Sequence, residues 1–435
     1  MQLVAYGAQD VYLTAEPTIT FWKAVYRRHT NFAMESMEQT LNGTANWGNK
    51  VVCRVSRNGD LMGRCFLRTQ LPVLSVSDNW CNRVGFRMLK SVELRVGGQM
   101  IDRHYATWMH IWTELSHTTD QKNLLDVLVG PKANDQYSSE AGTGNSGTGS
   151  AGMPTAGGIN GGWTLNIPLL FAFNRHPGLA LPLIALQYHE VEIHIEFENF
   201  SACLESSNNS SLYATASQGT LGYTSLWVDY IFLDTEERKE FAQKPHEYLI
   251  EIVQNQDTSF SAGANSVRLT FNHPTKFLTW VGRSSSNTGT TSTSPRDPFT
   301  DFTVAMGAAG NVTDSATGPI FVDDMDQARF PALSDGRLQL NGQDRFAVRT
   351  AEYFNYVQPY QHFTGCPDLG INVYSFALKP EEHQPSGSCN LSRIDNVNLL
   401  VTGAAASTSG TLSVYALSYN VFRVASGMGG LAYSN

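Results

Sequence analysis

One short stretch of the chain concentrates residue types that bind metal ions. The stretch YHEVEIHIEFE begins at Tyr188 and contains the candidate ligands His189, Glu190, Glu192, His194, Glu196 and Glu198. Its two histidines are spaced as H-E-x-x-x-H, whereas the zinc motif H-E-x-x-H places two histidines one helical turn apart. The spacing therefore argues against a helical zinc site, and we predict no metal ion and no cofactor.

The same stretch fits an extended strand better. Val191, Ile193, Ile195 and Phe197 alternate with charged residues. In a strand, successive side chains point to opposite faces. We expect the apolar face to lie against a core and the charged face to contact solvent or another subunit.

Other signatures of catalysis are missing from the sequence. It contains no Walker loop, no dinucleotide-binding glycine motif and no nucleophile elbow. No pair of carboxylates stands out as the acid and base of a glycoside hydrolase. Asp344 and Arg345 are interpreted as a local ion pair. The sequence therefore predicts that the protein is not an enzyme.

Composition excludes further classes of protein. The net charge of -9 argues against direct nucleic-acid binding, which needs a surplus of Lys and Arg. The sequence contains no run of eighteen apolar residues, so we expect no transmembrane helix. The first residues lack the basic region of a secretory signal, so we expect no such signal either. The six cysteines, which form no C-x-x-C pair, are expected to be reduced and partly buried: Cys53, Cys65, Cys81, Cys203, Cys366 and Cys389.

Two distant segments have the same pattern. SVELRVGGQMIDRHY begins at Ser91 and DGRLQLNGQDRF begins at Asp335. In the first, Val92, Leu94 and Val96 alternate with Glu93 and Arg95. Both segments then reach a dipeptide, Gly-Gly or Asn-Gly, that tolerates the positive φ angles of a tight turn. Each pattern predicts a β-hairpin with half-buried strands.

Further matches flank the two hairpins in the same order. NKVVCRVSRNGDLMGRCFL resembles NSVRLTFNHPTKFLTW, LLFAFNRHPGLALPLIAL resembles VYSFALKPEEHQPSGSCNLSRI, and LWVDYIFLDTEER resembles LSVYALSYNVFRV. Such repetition predicts two copies of one domain. Low charge (16%) favours strands and loops over helices. The Gly/Ser/Thr-rich stretches 138–162 and 284–297 are expected to lie outside the cores.

Two short helices are predicted outside the repeated segments. Asp234 is a candidate N-cap with Glu237 completing a capping box, and Pro245 ends this linker helix between the domains. Near the N-terminus, Pro17 suits a first helical turn, and Phe21, Trp22, Val25 and Tyr26 form one apolar face. This arm is expected either to pack on its own domain or to dock on neighbouring subunits or an underlying layer.

The motifs YGAQDVYLTAEPTITFWKAVYRRHTNFAMES, LPLIALQYHEVEIHIEF, VDYIFLDTEERKEFAQKPHEYLIE, NGQDRF and SGMGGLAY resemble the major capsid proteins of nucleocytoplasmic large DNA viruses, especially those of algal viruses. The resemblance implies an all-β fold of two tandem eight-stranded antiparallel jelly rolls. The expected division is an N-terminal arm (1–30), a first jelly roll (31–234), a linker helix (235–245) and a second jelly roll (246–435).

The resemblance also implies a function and partners. Three chains with two similar domains each would form a pseudo-hexagonal capsomer, a homotrimer that tiles an icosahedral shell with neighbouring capsomers and minor capsid proteins. The arm would point toward an inner membrane layer, and assembly would take place in the host cytoplasm before the protein resides in the virion. The alternative is a carbohydrate-binding or carbohydrate-active jelly-roll protein.

Some members of this family are glycoproteins. Asn311-Val-Thr and Asn390-Leu-Ser are acceptor sequons, and Asn396 lies close to the second sequon. A chain that folds in the cytosol does not meet the ordinary transferase, and a virus-encoded pathway can select other asparagines. We expect any glycans on exposed loops of the second domain.

Overall fold

A computed structural model describes residues 7–19, 21–22, 24, 26–72, 79–130, 163–205, 219–285, 299–305, 321–322, 328–404 and 409–433. Strands dominate these residues. The Gly/Ser-rich stretch 138–162 lies outside the described residues, as does 286–297 of the second such stretch.

Two large antiparallel sheets make up most of the described N-terminal half. Its strands are β1 (Phe32–Gln39), β2 (Lys50–Arg54), β3 (Leu61–Gln70), β4 (Asn79–Trp80), β5 (Leu89–Val96), β6 (Gln99–Tyr105), β7 (Thr164–Pro168), β8 (Leu181–Pro182), β9 (Val191–Phe197), β10 (Leu204–Glu205) and β11 (Ser225–Leu233). The first sheet has the order β1-β11-β3-β7, with β8 also paired to β3, and the second has the order β2-β9-β5-β6. These eight main strands form the N-terminal roll.

The C-terminal half repeats this arrangement. Its strands are β12 (His246–Ser261), β13 (Gly263–Leu269), β14 (Pro274–Ser284), β15 (Thr303–Ala305), β16 (Phe321–Val322), β17 (Ala328–Pro331), β18 (Leu333–Leu340), β19 (Gln343–Asp344), β20 (Arg349–Thr350), β21 (Ile371–Ser375), β22 (Cys389–Asn390), β23 (Val397–Gly403), β24 (Ser409–Ala425) and β25 (Met428–Leu431). The first sheet has the order β12-β24-β14-β21, and the second has the order β13-β23-β18-β19. These strands form the C-terminal roll.

The two strand orders match position by position. In the first sheets, β1, β11, β3 and β7 take the same places as β12, β24, β14 and β21. In the second sheets, β2, β9, β5 and β6 take the same places as β13, β23, β18 and β19. Eight antiparallel strands in two facing sheets with this connectivity make a jelly roll. The predicted duplication and the double jelly-roll fold are therefore confirmed.

Both predicted hairpins are present. The turn between β5 and β6 has φ angles of 57° at Gly97 and 82° at Gly98, and the turn between β18 and β19 has 51° at Asn341 and 79° at Gly342. Both turns thus have positive φ at the two central residues, which a type I′ turn requires. Glycine and asparagine adopt this conformation with little strain.

The strand β5 is more buried than its alternating pattern predicts. Glu93, expected on an open face, is only 3% exposed. Arg95 Nη2 lies 2.7 Å from its carboxylate, and Arg103 and Lys50 also contact it. Burial opposes ionisation of Glu93, but these cations outweigh it and lower its pKa. Long cationic side chains cover the carboxylate, which period-two patterning does not anticipate.

Asp344 pairs differently from the prediction. Its Oδ2 lies 3.1 Å from Arg337 Nη1, and Gln339 donates to its Oδ1 at 2.6 Å. The expected local pair with Arg345 is therefore wrong. Adjacent residues of a strand point to opposite faces, so Asp344 contacts the facing strand of the hairpin instead.

The helices are short and lie mostly in connections. They are α1 (Val11–Thr14), α2 (Val84–Arg87), α3 (Ala106–Ser116), α4 (Thr119–Val129), α5 (Ala172–Arg175), α6 (Thr235–Gln243) and α7 (Gln358–His362), with 3₁₀ turns at Pro177–Leu179, Phe200–Cys203 and Leu391–Arg393 and a π-helical turn at Tyr353–Val357. The longest pair, α3 and α4, occupies the connection between β6 and β7.

The helix α6 is the expected linker helix. Asp234 Oδ1 accepts a hydrogen bond from the Thr235 backbone N–H at 2.7 Å. Among the described hydrogen bonds, none joins the Glu237 side chain to the Asp234 backbone, so the full capping box is not formed. Lys244, which precedes Pro245, has extended backbone and ends the helix.

The predicted helix in the N-terminal arm is wrong for the residues that the structure describes. The helix α1 ends at Thr14, and Phe21 and Trp22 lie in a non-helical turn. Phe21, Trp22 and Tyr26 are 97%, 88% and 85% exposed, so they do not pack on their own domain. Helices shorter than about 12–15 residues are marginal in water without a surface to pack on.

The cysteines agree with the expectation of partly buried thiols. Buried positions are held by Cys53, Cys65, Cys81 and Cys203, whereas Cys389 is partly buried and Cys366 is exposed. Burial raises the pKa of Cys53 to about 12 and raises the pKa of Cys65 as well. These two thiols are therefore protonated and unreactive at neutral pH.

Candidate functional site

The surface where the two rolls meet, here called the junction, is formed by aromatic side chains. Trp108 and Trp112 on α3 stack against Phe277 of β14, with ring centroids 6.1 and 6.3 Å apart. Trp108 also contacts Tyr415 of β24 at 5.7 Å. One hydrophobic core includes these residues and the interior of the N-terminal roll. The junction therefore joins the rolls by burial of apolar area, the main favourable term in folding.

Buried charges cross the junction. Lys276 on β14 lies with Nζ 2.6 Å from Glu251 Oε1, and Arg175 of the N-terminal roll contacts Glu251 Oε2 at 2.9 Å. The Arg175 guanidinium also lies 4.5 Å above the Trp112 ring. Burial lowers the pKa of Lys276, and the Glu251 carboxylate opposes this effect. One carboxylate thus holds a cation from each roll.

Two histidines from different rolls meet beside these charges. The rings of His176 and His383 lie 4.7 Å apart. His176 Nδ1 accepts the backbone N–H of Gly178 at 3.0 Å, so this nitrogen carries no proton. Burial and the neighbouring His176 lower the pKa of His383. These surroundings therefore favour the neutral form of His383.

A second polar cluster links Arg83, which precedes α2, to side chains of α3 and α4. Arg83 contacts Asp126 and, at 3.7 Å, Glu114, and Lys122 contacts Glu114 at 2.6 Å. Lys122 also donates to the carbonyl oxygen of Cys366 in the C-terminal roll at 2.7 Å. Two cations thus neutralise Glu114, which makes this a structural ion-pair network across the junction.

One group within this cluster has the ligand types of a metal site. His110, Glu114 and Asp368 each offer one atom, all within 4.8 Å of one another. Glu114 already contacts Arg83 and Lys122, and a divalent cation would add positive charge beside both. These ion pairs therefore fit the site better than a metal ion does.

The stretch that suggested a metal site is a strand, as predicted. On β9, Val191, Ile193, Ile195 and Phe197 are buried, each 3% exposed or less. The opposite face makes charge pairs with neighbouring strands: Arg54 contacts Glu192 at 3.1 Å, and Lys90 contacts Glu196 at 2.6 Å. The hydrogen bond from His194 lowers the pKa of Glu192, and that from Lys90 lowers the pKa of Glu196.

The predicted glycan acceptors are exposed where the structure describes them. Asn390 and Asn396 are exposed and lie before and after the 3₁₀ turn Leu391–Arg393. Asn390 Oδ1 accepts from the backbone N–H and the hydroxyl of Ser392, which leaves its Nδ2 outside this cap. Asn311 lies outside the described residues.

The junction was missed by sequence reasoning. Trp108, Ile111, Trp112 and Leu115 follow the i, i+3, i+4, i+7 spacing of an amphipathic helix, which was the available signal. Arg175 and Glu251 offered no such signal, because their contact depends on how the two rolls pack.

Exposed apolar side chains remain outside the junction. In the arm they include Tyr12, Leu13, Ile19, Phe21 and Trp22, each at least 85% exposed. On the C-terminal roll, Tyr360 and Leu378 are 89% and 73% exposed. Apolar surface of this kind marks sites of protein or membrane contact. Within the described residues, no helix combines the length and apolar character needed to span a bilayer.

Comparison with known proteins gives the same result for both halves. The family described as "Major capsid protein N-terminus" matches residues 20–234, and the family described as "Large eukaryotic DNA virus major capsid protein" matches residues 237–430. The major capsid proteins of Pyramimonas orientalis virus and Phaeocystis pouchetii virus are 44% and 42% identical, each over 100% of this chain and 99% of their own length.

A solved structure agrees with these relatives. The chain in the quasi-atomic model of the PBCV-1 virus capsid has a TM-score of 0.76 and 36% sequence identity, covering 96% of this chain and 100% of that chain. Both the sequence and the arrangement of strands are thus shared along nearly the full length. The chain therefore belongs to the family of large eukaryotic DNA virus major capsid proteins.

Proposed function

We propose that this structural protein of the virion capsid assembles as a homotrimer in which six similar rolls form a pseudo-hexagonal capsomer. The observation that carries the proposal is the matching strand order of the two rolls. Only a closed ring of three such chains presents six similar wedges, and cyclic oligomers with closed symmetry are the common form of soluble assemblies. Capsomers of this shape tile a hexagonal lattice.

Each segment of the chain has a proposed role in the capsomer. Residues 1–30 act as an arm, 31–234 and 246–435 as the two jelly rolls, and 235–245 as the linker. The exposed aromatic residues of the arm dock on a layer beneath the shell, either minor capsid proteins or an inner membrane, because such side chains gain by leaving water. Assembly takes place in the host cytoplasm, and the protein neither binds nucleic acid directly nor acts as an enzyme.

Light scattering of the purified chain tests the trimer. At low micromolar concentration we expect three times the chain mass of 47.9 kDa. Large obligate interfaces bury more than about 2,000 Å², so the trimer should persist on dilution. A stable monomer or dimer would contradict the capsomer and would favour the carbohydrate-binding alternative.

A further inference from the structure

In the C-terminal roll, the outward face of the first sheet is covered by the other roll. Phe277 on β14 and Leu417 on β24 are direct cross-strand neighbours, and both are 0% exposed. Trp108 and Trp112, from the connection between β6 and β7, stack against Phe277. This face is therefore buried by a connection of the N-terminal roll.

The equivalent face of the N-terminal roll carries a similar aromatic pair. Phe66 on β3 and Trp227 on β11 are cross-strand neighbours whose rings stack at 6.0 Å and 5°. Phe66 occupies the position of Phe277, because each is followed by an inward-facing leucine, Leu67 or Leu278, that is 0% exposed. The strand orders place β3 and β11 opposite β14 and β24 in this equivalence.

This aromatic face has no comparable cover within the described part of the chain. Phe66 and Trp227 are each partly exposed, and Met34 on the adjoining edge strand β1 is 56% exposed. The side chains Phe66, Trp227 and Met34 are here called the aromatic face. As far as the described residues show, the C-terminal roll thus has this face buried, whereas the N-terminal roll has it partly exposed.

The C-terminal roll has a connection equivalent to the one that covers Phe277. The segment between β20 and β21 corresponds to the β6–β7 connection and contains the π-helical turn and α7. Val357 and Tyr360 in this segment are 40% and 89% exposed. In contrast, Trp108 and Trp112 in the β6–β7 connection are 2% and 5% exposed.

A third exposed apolar side chain lies beside α7. The carbonyl oxygen of Leu378 lies 2.9 Å from His362 Nδ1 at the end of α7. Leu378 is 73% exposed. Val357, Tyr360 and Leu378 are here called the apolar ridge.

We propose that the apolar ridge of one chain docks on the aromatic face of the next chain in the ring. The inference rests on the proposed homotrimer. In a ring of six rolls, contacts within a chain alternate with contacts between chains, and the two kinds occupy similar positions. A duplicated roll therefore uses the same connection and the same sheet face for both contacts, with different side chains. The occupant of the aromatic face is a second copy of this chain.

Charge insertion tests the ridge. We expect the Tyr360→Asp/Leu378→Asp variant to raise the dissociation constant of the trimer by about tenfold or more, because carboxylates would be buried in an apolar contact. The matched control is Tyr188→Asp, since Tyr188 is 76% exposed and lies beside Gly427, to whose carbonyl oxygen its backbone N–H donates at 3.0 Å. The control should remain trimeric, and circular dichroism should show that both variants are folded.

Cross-linking identifies the partner surface without depending on destabilisation. In a Cys366→Ser background, Tyr360→Cys with Trp227→Cys should yield disulfide-linked trimers under oxidation, and either single substitution should not. The inference is overturned if the wild-type chain is trimeric, the Tyr360→Asp/Leu378→Asp variant is equally trimeric, and the cysteine pair forms no cross-link between chains. The proposed capsomer would stand in that case. Cross-linking within one chain only, with no larger species, also overturns the inference. A wild-type chain that is never trimeric overturns the capsomer as well.

Discussion

Lys276 and Glu251 form a salt bridge of 2.6 Å in which neither side chain is more than 6% exposed. Arg175 of the N-terminal roll holds the second oxygen of the same carboxylate at 2.9 Å. Because buried charges depend on their partners, this salt bridge links the fold of the C-terminal roll to its contact with the N-terminal roll.

We expect Lys276→Met to lower the free energy of unfolding by about 3–5 kcal/mol, since it leaves Glu251 with one cation fewer in a buried site. The double variant Lys276→Met/Glu251→Gln should lower the free energy of unfolding by less than the sum of the effects of Lys276→Met and Glu251→Gln alone, because it leaves no isolated carboxylate. Urea denaturation of the four proteins measures both quantities. Strictly additive effects would show that the two residues do not interact in solution.

Acid should weaken the junction. The pKa of His383 is lowered, first by burial and then by the neighbouring His176, with Lys276 and Arg175 acting in the same direction and Glu251 opposing them. The unfolded chain, with an ordinary histidine pKa of about 6.5, therefore takes up a proton at a higher pH than the folded chain does. Stability should fall as the pH drops below about 6.5, and the loss should level off below the folded pKa.

Thermal melts between neutral and mildly acidic pH measure this effect. His383→Gln should flatten the dependence of the melting temperature on pH by removing one of the groups responsible. His117→Gln is a useful comparison, since burial and Lys122 also lower the pKa of His117. An unchanged slope in His383→Gln would exclude this histidine as a source of acid sensitivity.

The N-terminal cap of α6 can be tested by mutation, because the structure shows a cap by Asp234 alone whereas the sequence predicts a capping box with Glu237. Asp234→Ala should lower the free energy of unfolding by about 1 kcal/mol, because Asp234 caps the first turn. Glu237→Ala should lower the free energy of unfolding by only a few tenths of a kcal/mol, since Glu237 contributes through the helix dipole alone. Equal costs in chemical denaturation would indicate that the capping box forms in solution.

Glycans, where present, should lie on the C-terminal roll. Any mass that intact-mass measurement of virion protein shows above the bare 47.9 kDa chain should map, by peptide analysis, to Asn311, Asn390 or Asn396. Asn390 can carry a sugar on Nδ2 while its Oδ1 keeps the cap to Ser392. A virion protein with the mass of the bare chain would rule out modification at all three positions.

Local patterns predicted those parts of the fold that local forces determine. The hairpin turn at Gly97 and Gly98 and the buried face of β9 follow from backbone preference and from period-two alternation. The double jelly roll was predicted from its repetition and its resemblance to a known family, not from alternation. Confirmation required the strand order, which is a non-local property.

Contacts between distant segments were not predictable in the same way. Glu93 is buried because Arg103 and Lys50 approach from other strands, and the arm lacks its helix because its aromatic residues have no surface to pack on within the described chain. The junction residues Arg175 and Glu251 are 76 positions apart in the sequence, and their contact depends on how the two rolls pack. Their energies depend on packing that no single stretch of sequence encodes.

Among the described residues, the helix pair α3 and α4 lies in the β6–β7 connection of the N-terminal roll, whereas a π-helical turn and the short helix α7 lie in the corresponding connection of the C-terminal roll. In the proposed trimer, the six rolls would share one fold but alternate in surface, so the ring would repeat after 120° and not after 60°. A capsomer with this lower symmetry could occupy a hexagonal lattice position in two distinguishable orientations. The duplicated chain would therefore give each capsomer a defined orientation, which a ring of six identical single rolls would lack.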